Sequence, residues 1–175
     1  MKIIIPLLLL GIVSFAFVFS GNIQEDLMEE RVAKFKSSGI EKPLILKRNT
    51  TADLLVSEAR KYVGAPSKEL SPIGFTKEEF IQTVLSKYAY EKFNQPLEDF
   101  ARHGKLIREL KDLKKGDVVY FMDLTKTEPV FSHAGIYVGD GEFIYLSVQK
   151  GVAIGSLTNS EFWRSKFAFG TRLIP

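Results

Sequence analysis

The 175-residue sequence is long enough for one domain with a sizeable core and too short for two comfortable ones. Its 45% hydrophobic and 26% charged content is that of a globular chain, and a net charge of +3 is too small to point to nucleic acid. With zero cysteines, a disulfide, a thiolate metal site, a cysteine-linked lipid and a cysteine nucleophile are all excluded, and the two histidines, His103 and His133, lack ligand spacing, so no metal or other cofactor is expected.

Met1-Lys2 precedes an uncharged stretch from Ile3 to Phe19, rich in Leu, Ile, Val and Phe. Residues 1–20 have the layout of a secretory signal, and the small residues Val18 and Ser20 place the expected cut before Gly21. Seventeen apolar residues also sit at the lower edge of a membrane-spanning length, so an uncleaved anchor is the alternative. Either reading sends the rest of the chain to the periplasm or beyond, and only the second makes the membrane a partner.

Residues 21–50 read as a helical and linker segment. A helix is expected around Gln24–Lys36, carrying Leu27, Val32 and Phe35, and Ser37-Ser38-Gly39 and Pro43 break it. Asn49-Thr50-Thr51 suits a helix cap, and the main domain then spans 51–175. Its first helix runs from about Ala52 to Val63 with Gly64 as the stop. After a Pro- and Gly-containing loop, Phe80, Ile81, Val84, Leu85 and Tyr88 recur at helical spacing, and Pro96 to Arg102 forms a short helix closed by Gly104.

From Lys115-Gly116-Asp117 onward the period changes to that of strands. These are Val118–Met122, Ala134–Val138, Phe143–Ser147, Val152–Ile154 and Phe167–Ile174, with Gly139-Asp140-Gly141 as a tight hairpin. A helical turn over Ser160–Ser165 holds Trp163. Helices first and strands afterwards predict an α+β domain with helices packed on a central antiparallel sheet.

Several segments together resemble a known family. Leu113–Phe121 (LKKGDVVYF), Ser132–Ile144 (SHAGIYVGDGEFI), Gly151-Val152, Tyr62–Pro66 (YVGAP) and Ser71–Phe75 (SPIGF) occur in the order and spacing of NlpC-type cell-wall peptidases. The resemblance implies a papain-like fold and a cysteine hydrolase of peptidoglycan stem peptides. Such an enzyme carries its cysteine at a helix start, a histidine base, and a third polar residue that orients the imidazole.

This chain departs from that pattern at the nucleophile. Where the family has Asp-Cys-Ser-Gly-Phe after Gly-Phe, Gly74-Phe75 is followed by Thr76-Lys77-Glu78-Glu79-Phe80, which puts Lys77 at the cysteine position. Thr76-x-x-Glu79 is instead a capping box, with Phe75 and Phe80 placed as its hydrophobic staple. Ser67-Lys68-Glu69-Leu70 replaces the family's aromatic and Gly-Gly pair, so Ser67, Glu69, Thr76 and Glu79 are candidate residues of an altered cleft. His133 matches the base position, and Tyr145 stands where the orienting histidine usually lies. His103, beside Gly104, suits a helix end.

The expectation is a catalytically inactive envelope protein that binds a peptidoglycan peptide or another envelope protein. The alternative is an active stem-peptide hydrolase with a relocated nucleophile, Ser67, Ser71 or Thr76, acting with His133.

Overall fold

A computed structural model describes residues 23–36, 51–88, 96–125 and 130–174. The expected signal segment, the break at 37–43 and Asn49-Thr50 lie outside the described residues. Among the described residues no helix is long and apolar enough to cross a membrane.

The chain forms helix α1 over 23–36, α2 (Ala52–Arg60), α3 (Lys77–Ser86) and α4 (Leu97–Phe100). Strand β1 (Lys105–Ile107) and a 3-10 turn (Leu110–Asp112) follow. Then come β2 (Val118–Met122), β3 (Phe131–Gly139), β4 (Glu142–Ser147), β5 (Gly151–Ser156), α5 (Glu161–Lys166) and β6 (Phe167–Arg172). The strands make one antiparallel sheet in the order β1-β6-β2-β3-β4-β5. This is the α+β architecture that the change of period predicts.

Strand periodicity sorts the core onto the two sheet faces. Val118, Tyr120, Met122, Ile136 and Ile144 point to the face covered by the helices, where Leu55, Phe80, Ile81 and Leu85 meet them. Val119, Phe121, Tyr137, Phe143 and Tyr145 point to the other face, which Trp163 of α5 covers. Helix α1 packs into the first of these cores through Val32 and Phe35. It is fastened further by Gln24 Nε2 donating to the Ser165 carbonyl at 3.1 Å and by an ion pair of Arg108 with Glu29 at 2.9 Å.

Two differences from the sequence reading have simple causes. Helix α2 stops at Arg60 rather than Val63, because Lys61, Tyr62 and Val63 tighten to bonds three residues back. Gly64, at φ +90°, then turns its N–H to the Val152 carbonyl at 2.8 Å. Strand β1 was not expected. It exists through pairing with β6, a contact between residues far apart in sequence.

Two buried carboxylates pin the sheet and helices together. Asp117 is 1% exposed and receives Arg172 Nε at 2.9 Å and Nη2 at 2.8 Å, plus the Lys114 N–H at 2.8 Å. Glu58, on α2, is also 1% exposed, and it accepts hydrogen bonds from Lys61, Lys87 and Tyr62. Burial acts to raise its carboxyl, but those three donors outweigh it and hold the group at about 2.

A folded carboxyl held below its unfolded value stabilises the protein above pH 4.5, and that contribution is lost as the pH falls toward 2. Glu58→Gln is expected to lower unfolding free energy by about 2 kcal/mol at pH 7, read by urea titration. The variant should also lose less stability than the parent between pH 4.5 and 2. Equal acid sensitivity in both proteins would contradict the role given to Glu58.

Candidate functional site

The site is assembled where the start of α3 meets β3. Thr76 is the N-cap of α3: its hydroxyl accepts from the Glu79 N–H at 3.2 Å, and a Glu79 carboxylate oxygen accepts from the Thr76 N–H at 2.8 Å. Both halves of the capping box are therefore formed, worth about 1 kcal/mol. Phe75 and Phe80 meet edge-on at 6.5 Å, as a staple requires. The second Glu79 oxygen takes a salt bridge from Lys68, which draws that carboxyl below its usual range. Glu79 is thus occupied by the helix start and the preceding loop.

Lys77 is the first residue of α3, at the position the family resemblance gives to the nucleophile. Its ammonium donates to the Ser132 carbonyl at 2.7 Å. That carbonyl is available because the register of β2 against β3 slips here: Phe121 pairs with His133 and Met122 with Phe131, leaving Ser132 as an extra residue. The Ser132 hydroxyl folds back to the Phe121 carbonyl at 3.2 Å.

His133, the next residue, is half-buried on the face opposite the helical core. Its ring stands edge-on to Trp163 at 5.2 Å and to Tyr145 at 5.9 Å. Nδ1 is buried and has no hydrogen-bond partner. Burial first, then the positive charges of Lys77 and Lys166, push the ring down to about 4, so it is neutral at physiological pH. Tyr145 meets this histidine as a packed aromatic, and burial raises its phenol despite a hydrogen bond with Ser147.

The upstream loop is built rather than loose. Ser67 is fully buried and its hydroxyl donates to the Val148 carbonyl at 2.6 Å. A Cβ on Gly74 would sit 2.2 Å from the Ser67 carbonyl oxygen, and one on Gly151 would sit 2.2 Å from that of Ala65. Only glycine lets these strands of chain approach so closely. Ser71 is half-buried with its N–H on the Ser67 carbonyl at 2.9 Å, and Glu69 is exposed.

The structure therefore brings Lys77 and His133 to one place with Tyr145, while Ser67, Thr76 and Glu79 serve the loop and helix cap. His103 lies elsewhere, with Nδ1 3.0 Å from the Asp99 carbonyl oxygen at the end of α4. Sequence reasoning missed Ser132 and Lys166 as site residues, and it left Trp163 without a role. The lone Trp of the chain was the available signal; the slip that frees Ser132 has none.

Residues 71–172 match the model of the NlpC/P60 family. The chain belongs to the NlpC/P60 family. It is 30% identical over 132 residues to a gamma-DL-glutamyl hydrolase of Bacillus subtilis (strain 168), covering 74% of this chain and 32% of that protein. It is 33% identical over 115 residues to the probable peptidoglycan endopeptidase LytE of the same organism, covering 65% of this chain and 32% of LytE. The NlpC/P60 chain thus spans about a third of the length of these curated relatives.

Among solved structures, an NlpC/P60 family protein from Bacillus cereus ATCC 10987 superposes with a TM-score of 0.58 at 24% identity, covering 72% of this chain and 41% of that one. RipD from Mycobacterium tuberculosis, described as a non-catalytic NlpC/p60 domain protein adapted to peptidoglycan binding, superposes with a TM-score of 0.51 at 14% identity, covering 70% and 97%. These two structures bear on the fold alone.

In NMR titration, the His133 ring is expected to protonate near pH 4, and Lys77→Met should move that value upward while leaving it below 6.5, since burial is the larger cause. A folded ring harder to protonate than the unfolded one contributes stability that is present above pH 6.5 and lost as the pH falls toward 4. An ordinary midpoint near 6.5 in the parent would refute the placement of Lys77 and the burial together.

Proposed function

We propose that this NlpC/P60 domain binds a peptidoglycan stem peptide in the envelope without cutting it. The observation that supports this most is Lys77: an ammonium stands at the start of α3 and is engaged by the Ser132 carbonyl at 2.7 Å. Acyl transfer by this fold needs a nucleophile deprotonated by, or paired with, the imidazole. An ammonium bears no free electron pair, and its field adds to burial in keeping the adjacent imidazole from taking a second proton.

Among the described residues the imidazole Nδ1 also has no hydrogen-bonding partner to orient it. Tyr145 gives His133 a ring edge at 5.9 Å in place of a hydrogen-bonding orienter. Relocation of the nucleophile to Ser67 or Thr76 gains no support, because the first hydroxyl is given to Val148 and the second accepts from Glu79.

What remains is a pre-shaped surface on a rigid scaffold. The capping box, the Ser67 anchor and the close glycine contacts hold the loop before α3 in one form, as a recognition site needs. RipD, a non-catalytic NlpC/p60 domain protein adapted to peptidoglycan binding, supports this reading as a precedent on the same fold. An envelope protein is the other partner that the reading allows, and a binding assay separates the two.

Purified protein incubated with peptidoglycan stem peptides is expected to release no new amino termini, and His133→Ala should leave that result unchanged. Peptide release by the parent that disappears in His133→Ala would overturn the reading. Isothermal titration with the same peptides is expected to show saturable binding, weakened by Lys77→Glu; no heat of binding would shift the partner to an envelope protein.

A further inference from the structure

Outside the site, a cavity of about 460 Å³ opens on the surface. Its lining includes Ile23 and Leu27 of α1, Leu124 after β2, and Lys166 of α5. Ile23 and Leu27 are 48% and 38% exposed. Beyond Lys166, whose ammonium lies 4.7 Å from the centre of the Phe162 ring, that phenylalanine is itself 53% exposed. Large apolar side chains gathered this way mark a surface that meets something apolar.

The place of this patch in the chain says what it meets. Ile23 begins α1, and only Ser20, Gly21 and Asn22 separate it from the apolar run Ile3–Phe19. Four Cα steps reach at most about 14 Å. Helix α1 cannot swing free of the domain to change that distance, because Val32 and Phe35 are in the core and Gln24 and Glu29 are bonded to Ser165 and Arg108. A run of this length held in a bilayer therefore brings the face around Ile23 to the lipid surface.

We propose that residues 3–19 stay on the chain as the uncleaved anchor, the alternative to a cut before Gly21, and that this face rests on the phospholipid bilayer they would enter. Lys166 over Phe162 then has an interfacial arrangement, an apolar ring toward the acyl chains and a cation at the phosphates. Glu25 and Asp26 in the first turn of α1 and Glu30 beyond it are exposed, so only the side of the helix carrying Ile23 and Leu27 meets the bilayer, and these carboxylates favour zwitterionic over anionic headgroups. The domain is then fixed in orientation, with the cavity at the membrane.

The cysteine-free sequence makes the test direct. Leu27→Cys, Phe162→Cys and Ile73→Cys would each be made in the full chain, spin-labelled and reconstituted in phosphatidylcholine vesicles. Ile73, 90% exposed on the loop before α3, serves as the water-facing control. Labels at 27 and 162 are expected to collide preferentially with oxygen, which concentrates in lipid, and the label at 73 with a water-soluble nickel chelate. Nickel access at 27 and 162 matching that at 73 would overturn the proposal. So would protection from both reagents with label–label broadening, which signals a second copy on the patch. Recovery of the exported protein from the aqueous fraction without residues 1–20 would overturn it as well. Each of these results leaves the fate of a bound peptide to be read separately.

Discussion

The ammonium of Lys77 and the carbonyl of Ser132 join two pieces of structure that are far apart in sequence. One is the first turn of α3, fixed by the Thr76–Glu79 capping box. The other is the extra residue in the β2–β3 ladder that carries His133 beside it. At 2.7 Å from that carbonyl the charge is held in one place, where it adds to burial in making the neighbouring imidazole harder to protonate. The half-buried ring is neutral, through burial first and the charge second, and its buried Nδ1 has no partner.

The replacement extends beyond one side chain. A thiolate at this helix start would be favoured by the helix dipole, whereas an ammonium is opposed by it. The carbonyl of Ser132 and the acidic first turn, Glu78 and Glu79, offset that opposition. Glu79 also closes the capping box and receives Lys68, so the residue standing for the family's glycine now ties the helix to its preceding loop. The segment is a well-made helix start, with Thr76, Lys77 and Glu79 each engaged in holding it.

Local patterns in the sequence carried most of this. The capping box, the staple, the hairpin at Gly139–Gly141 and the strand Val118–Met122 are set by neighbours within a few residues, and the structure shows all of them. What stayed unread depends on contacts across the fold. Strand β1 exists through β6, and Glu58 gains its meaning from Lys87 at the C-terminal end of α3. Ser132 became a ligand for Lys77 only through a register slip. The packing of α1 into the main core was likewise hidden, because a charged helix before a Gly- and Pro-containing stretch reads as peripheral until Val32 and Phe35 are seen among Tyr120 and Phe169.

Binding without turnover is best tested where both are seen at once. An isotope-labelled sample of the NlpC/P60 protein, titrated with a soluble peptidoglycan stem peptide, reports on protein and peptide in one NMR series. The account predicts that signals of Lys77, His133 and Trp163 shift to saturation while the peptide spectrum remains that of one intact molecule over days. Time-dependent replacement of the peptide signals by those of two fragments, at a rate that follows protein concentration, would contradict it.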